Sequence, residues 1–191
     1  MRLVCAILLA MLCAPVKAAP AVTLVLQFDR AYSAKSVAAM EREVALIVGE
    51  SGIQVDWKLL ADVRPAESFE SLVVVRFRGA CLMQPNPYLM DERGYYAFTY
   101  VSDGDVLPFS EVECDKVAST IAPAMSQSQW RERDSVLGRA LGRVLAHELY
   151  HMLAKTQRHA GDGVTQSKLS AAQLIGDRLR MSPSDLEKLK R

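Results

Sequence analysis

Blocks of like charge are missing from this sequence. A net charge of +1 is spread over 191 residues without a long basic or acidic run, so the broad cationic face that nucleic acid or an anionic membrane surface requires is absent. Past the N-terminus no apolar stretch approaches the ~20 residues of a membrane-spanning helix. There are no internal repeats and no low-complexity tracts, which excludes solenoids and compositionally disordered tails. Cysteine is scarce, with four residues, and histidine is scarcer, with three. All three histidines fall between residues 147 and 159.

What is present reads as one exported globular domain. "MRLVCAILLAMLCAPVKAAP" has a basic residue, an apolar run from Leu3 to Val16 and then small residues. This is the layout of a secretory signal peptide, with Val16-Lys17-Ala18 as the small-x-small cleavage site. Residues 1–18 are therefore expected to be removed, leaving 19–191 as a single domain, secreted or periplasmic and without stable membrane insertion. Half of the residues are hydrophobic, enough at this length to bury a core without staples. Cys5 and Cys13 leave with the signal. Cys81 and Cys114 remain, and in an oxidising compartment they are expected to pair. The alternative is a thiolate serving as metal ligand or as a blocking group. A disulfide would close a loop of about 34 residues, contributing on the order of 3–4 kcal/mol in the chain-entropy model.

Periodicity predicts strands at 21–28, 53–60, 71–79 and 95–104, the last ending in an Asp-Gly turn. A helix is expected over 33–49, capped by Ser33, with Val37, Met40, Val44 and Ile47 inward. Two prolines and a glycine make 80–94 an irregular loop. The stretch 105–120 is ambiguous between a short strand and an extended excursion tied down at Cys114. One long helix is expected over about 128–156. After the Gly-Asp-Gly break at 161–163, a short helix runs from 170 to 180, and Ser182 and Pro183 open a last helical turn. The order is β-α-β-β-β, loop, long helix and a short helical C-terminal tail, an α+β mixed sheet packed on the long helix.

The histidines carry the chemistry. Residues four apart stand on one helix face, so His147 and His151 can aim two imidazoles at one metal ion. Glu148 lies about 100° around the helix, too far to share that ion but near enough to take a proton from a water bound to it. This H-E-x-x-H pattern supplies two ligands and a general base. His159, just past the helix end, can turn back as third ligand, leaving a fourth position open. Asp162 and Asp177 are the competing third ligands.

The segment resembles the active-site helix of the zincin metallopeptidases, and the element order before it is similar to the metzincin branch. Motif identity is confined to 147–159. Metzincins run H-E-x-x-H-x-x-G-x-x-H, whereas this chain has Ala154 and Gln157 at the last two of those positions and its third histidine two residues later. The resemblance implies a metzincin-like α+β fold, zinc (Zn2+) held by His147, His151 and His159, and a monomeric hydrolase acting on a peptide or protein through Glu148. It also implies an edge strand lining the cleft, for which "YAFTYV", 96–101, is the candidate, and a methionine beneath the metal, for which only Met181 is downstream.

Other residues have plainer readings. Tyr150 is expected to pack on the sheet rather than donate to an oxyanion. Gly138 and Gly142 are expected to allow close approach of helix to sheet, and Arg139 and Arg143 to form structural ion pairs. The other functional readings are a non-catalytic zinc-binding or partner-binding domain and a zinc amidase for a non-protein substrate.

Overall fold

In the computed structural model, residues 21–84 and 94–190 are described. The expected signal peptide and its cleavage site, and most of the 80–94 loop, lie outside them. Strand β1 (Ala21–Phe28) leads to helix α1 (Ala34–Val48), then β2 (Gln54–Leu59) and β3 (Leu72–Arg78). Ser33 caps α1 by accepting from the Ser36 amide, and Met40, Val44 and Ile47 point inward, as their spacing demands. β4 (Ala97–Ser102) and β5 (Asp105–Glu113) form a hairpin whose two-residue loop, Asp103-Gly104, has positive φ at both positions. That is the type of turn that matches strand twist.

The five strands make one sheet in the order β2-β1-β3-β5-β4. β1, β2, β3 and β5 are parallel and β4 runs antiparallel at the edge. The 105–113 stretch is therefore a full strand inserted between β3 and β4, and it runs directly into α2 (Cys114–Ile121). Pro108 obscured it, because proline disrupts a ladder. Here it sits beside the register break between the pairs Thr99–Ser110 and Val101–Val106, where regular pairing already lapses.

The expected long helix is two. α3 (Gln127–Arg131) opens with a capping box between Ser126 and Gln129, and α4 (Arg133–Leu153) restarts after Glu132, whose backbone leaves the helical region. α5 (Ala171–Ile175) stops at an extended Gly176, short of the expected residue 180, and α6 (Pro183–Leu189) is capped by Ser182 as expected. α1 and α4 share one core with Val22, Leu24, Leu26, Val73, Val75 and Phe77 of the sheet. The alternate positions Val74 and Arg76 are only half-buried. Cys81 and Cys114 form a disulfide with Cα atoms 4.9 Å apart, fixing the end of β3 to the start of α2. Both cysteines are thus unavailable as metal ligands. Among the described residues no helix is long and apolar enough to cross a membrane.

Candidate metal centre

α4 is buried along most of its length, so residues on its cleft-facing side are held rigidly at depth. His147 and His151 leave that side one turn apart, and the chain leaving the helix brings His159 back to them. The ring centroids lie 4.7 Å (His147–His151), 5.1 Å (His147–His159) and 4.8 Å (His151–His159) apart. One ligand atom of each lies within 4.8 Å of the others. Asp162 and Asp177 are both exposed and stand outside this group.

The turn that delivers His159 differs from the glycine turn of the motif it resembles. Ala154 stays right-handed and Lys155 takes the left-handed conformation at φ 48°. The Thr156 amide then donates to the His151 carbonyl at 3.1 Å, closing the helix one residue later than a glycine at 154 would.

Backbone carbonyls set the imidazole orientations. His147 Nδ1 lies 2.9 Å from the Val164 carbonyl and His151 Nδ1 lies 2.7 Å from the Thr156 carbonyl. A carbonyl oxygen only accepts, so in the neutral rings both Nδ1 atoms carry the hydrogen and both Nε2 atoms carry lone pairs. Those two Nε2 atoms face each other at 3.0 Å. Two lone pairs at that distance repel unless a cation or a proton lies between them. Protonation is opposed: burial, aided by the neighbouring His151 and His159 charges and resisted by the Val164 carbonyl, lowers His147 to about 4. Burial likewise lowers His151, against the Thr156 carbonyl. The arrangement therefore fits a metal ion bound by neutral nitrogens.

Glu148 is 5 % exposed, and its carboxylate accepts a 2.6 Å hydrogen bond from the Thr99 hydroxyl of β4. Burial raises it to about 7, with the Thr99 bond pulling the other way. The histidines, Glu148 and Thr99 line one cleft of about 950 Å3 that β4 borders, with Tyr95, Phe98 and Leu169 among its apolar walls. The candidate strand 96–101 is thus both a hairpin strand and the sheet edge along the cleft.

Other expected roles resolve differently. Tyr150 is fully buried in the common core, and its hydroxyl donates to Asp185 of α6 at 2.9 Å rather than facing the cleft. Gly138 and Gly142 allow α4 to approach helix α1, not the sheet. A Cβ at 138 would overlap the Ser36 carbonyl, and one at 142 would lie 2.7 Å from the Glu43 Cβ. Arg143 pairs with Glu43 at 2.7 Å, but among the described residues Arg139 makes no ion pair and donates instead to the carbonyls of Ile175 and Gly176. Met181 is buried in the common core. Thr99, Thr165 and Asp185 belong to no sequence motif, and only the fold brings them to the site and its surroundings.

No protein-family model matches the chain, and no curated protein matches it. The chemistry of the site therefore follows from its own geometry.

Proposed function

We propose that this chain is an exported zinc metallopeptidase of metzincin-like fold, with His147, His151 and His159 as ligands and Glu148 as general base. The observation that carries the reading is the pair of neutral imidazole nitrogens facing each other at 3.0 Å. The buried carboxylate of the next residue opens into the same cleft. Three imidazoles suit zinc among the divalent metals, and a closed structural site would need a fourth protein ligand. When bound, zinc supplies Lewis acidity and lowers the pKa of a water molecule.

Glu148 is the group placed to take a proton from the attacking water and hand it to the leaving amine. Thr99 fixes the direction of that carboxylate from the edge strand. Among the described residues the outer edge of β4 has no neighbour in the sheet, so an extended peptide can add to it by backbone pairing. Tyr95, Phe98 and Leu169 would bury its apolar side chains.

The test is zinc content and hydrolysis of a broad peptide library by wild type, His159→Ala and Glu148→Gln. Wild type is expected to bind zinc and cleave peptides. Glu148→Gln should retain the metal and lose at least ~100-fold in rate, the usual size of general-base catalysis. His159→Ala should bind zinc at least ~10-fold more weakly. Zinc bound by a wild type that cleaves nothing would favour the non-catalytic binding domain, and cleavage confined to non-peptide amides would favour the amidase.

A further inference from the structure

Asp185 is a fully buried carboxylate on α6, outside the cleft, and none of the chemistry above uses it. Four side chains donate to it: the Tyr150 hydroxyl (2.9 Å), the Thr165 hydroxyl (2.6 Å), the Ser182 hydroxyl (2.9 Å) and the Lys188 ammonium (2.8 Å). Lys188 also donates to the Tyr150 oxygen at 2.9 Å. A buried charge is tolerated only when its hydrogen bonds are this complete, and capping a seven-residue helix requires far less. What distinguishes the network is where its members lead.

Thr165 follows Val164, whose carbonyl orients His147 and whose amide donates to the Arg180 carbonyl at 2.9 Å. The Thr165 carbonyl accepts from the Ala160 amide at 3.0 Å, one residue past His159. Tyr150 is the residue before His151 on α4, its ring centroid 5.7 Å from the imidazole. Each of the three histidines is thus one short, bonded step from a residue whose side chain ends on Asp185.

We propose that Asp185 is the positioning residue of the metal centre and that, through Thr165, it couples docking of α6 to metal occupancy. The inference rests on the reading of His147, His151 and His159 as ligands. With α6 docked, Thr165 is fixed at both its hydroxyl and its carbonyl, and His147 and His159 are held near their working positions before the metal arrives. Linkage is reciprocal. A metal that draws those ligands into place also holds Thr165 against Asp185, and so holds α6 against the domain.

The experiment uses the full chain and zinc alone. Zinc affinity is measured by competition with a chromophoric chelator for wild type, Thr165→Val, Thr165→Ser and Asp185→Asn, with circular dichroism reporting the fold. Thr165→Val, nearly isosteric, should bind zinc ~10–100-fold more weakly, the range found when a group that orients a ligand is lost. Thr165→Ser keeps the hydroxyl and should stay within about 3-fold of wild type, well inside that range. A purely structural role would lower Tm and leave the zinc affinity of the folded variants unmoved.

Hydrogen exchange supplies a readout that needs no variant. Zinc should slow exchange of the α6 amides in wild type by about 10-fold or more, within the usual range of coupling between sites, and not in Thr165→Val. Unchanged affinity in folded Thr165→Val and Asp185→Asn, or α6 exchange indifferent to zinc in wild type, overturns the coupling while leaving the metal site standing. Absence of zinc uptake by wild type overturns the metal reading, and the coupling with it. If neither variant folds, the wild-type exchange decides alone.

Discussion

Lys155 turns the chain out of α4 in a conformation that an L side chain enters only at a cost. Its φ of 48° places Cβ near the following carbonyl, worth roughly 1–2 kcal/mol against a residue in the right-handed region. Glycine would lose that strain but would have more freedom to surrender from the unfolded state, by ~0.4–1 kcal/mol. Lys155→Gly is accordingly expected to lie between neutral and about 1.5 kcal/mol stabilising, since the strain relieved is at least as large as the entropy lost. Lys155→Val adds a branched Cβ to the same turn and should cost about 1–3 kcal/mol. Urea midpoints of the two variants check both, and a Lys155→Val as stable as wild type contradicts the strain. The grouping of the three histidines with Glu148 was legible in the sequence, because His147 and His151 stand one helical turn apart and His159 follows just past the helix end. The left-handed position was not, because nothing local separates a lysine that ends a helix from one that extends it. Thr99 and Asp185 were illegible for a different reason. Thr99 meets Glu148 across 49 residues and Asp185 meets Tyr150 across 35, and no periodicity reports contacts of that range.

At the scale of elements, the crossing of α1 over α4 is set by two missing side chains. Gly138 lies against the Ser36 carbonyl and the Ala39 Cβ, and Gly142 against the Glu43 Cβ and the Met40 carbonyl. In an isolated helix either glycine would be improved by alanine, by about 1 kcal/mol. Here the added methyl meets backbone oxygen that cannot swing aside, and overpacking costs typically 1–3 kcal/mol. Gly138→Ala should therefore destabilise the protein despite its helix propensity, by about 1–2 kcal/mol net of the propensity gain. Gly142→Ala should destabilise it less, because its tightest contacts, 2.7 Å to the Glu43 Cβ and 2.9 Å to the Met40 carbonyl, are looser than the 2.2 Å at Gly138. Denaturant unfolding of the two variants tests the order; a stabilising Gly138→Ala would show that the helices can separate freely. The elements themselves were largely legible. Four strands, the caps at Ser33 and Ser182 and the inward residues of α1 follow from alternation, capping chemistry and a 3.6-residue period. The failures share a cause. Pro108 argues locally against a strand, yet it falls where the β4–β5 register already breaks. The expected long helix likewise runs across Glu132, where one helix ends and the next begins; there Lys35 pairs with Glu132 at 2.6 Å and Ser33 donates to Asp134 at 2.9 Å. Tertiary context outweighs local preference at both places.

For the whole molecule, Asp185 gives acid stability a recognisable shape. Burial alone would raise its pKa. The hydrogen bonds from Lys188, Thr165, Tyr150 and Ser182 outweigh that and bring it from 3.8 down to about 2. A carboxyl whose folded pKa lies below its unfolded value binds more protons when unfolded, so it contributes stability that is fully present above the unfolded pKa. That contribution is lost as the pH falls from about 4 to about 2, the window between those two values. Every tenfold loss of proton affinity on folding is worth ~1.4 kcal/mol at most. Because its partner Lys188 reaches solvent, about 1–2 kcal/mol is a fairer expectation for the whole effect. Asp185→Asn cannot titrate and has already lost the charge that Lys188 faces. At neutral pH the variant should melt below wild type. Between pH 4 and pH 2 the gap should narrow, since wild type alone is losing this contribution. Surface carboxylates such as Asp29 and Glu132 are also held low by Arg76 and Lys35, but they titrate alike in both proteins and cancel in the difference. Thermal melts of metal-free wild type and Asp185→Asn across that window isolate the effect. A constant gap would place the contribution of Asp185 in packing rather than in its charge, and the network that joins α6 to the histidine-bearing segments would then owe its stability to shape alone.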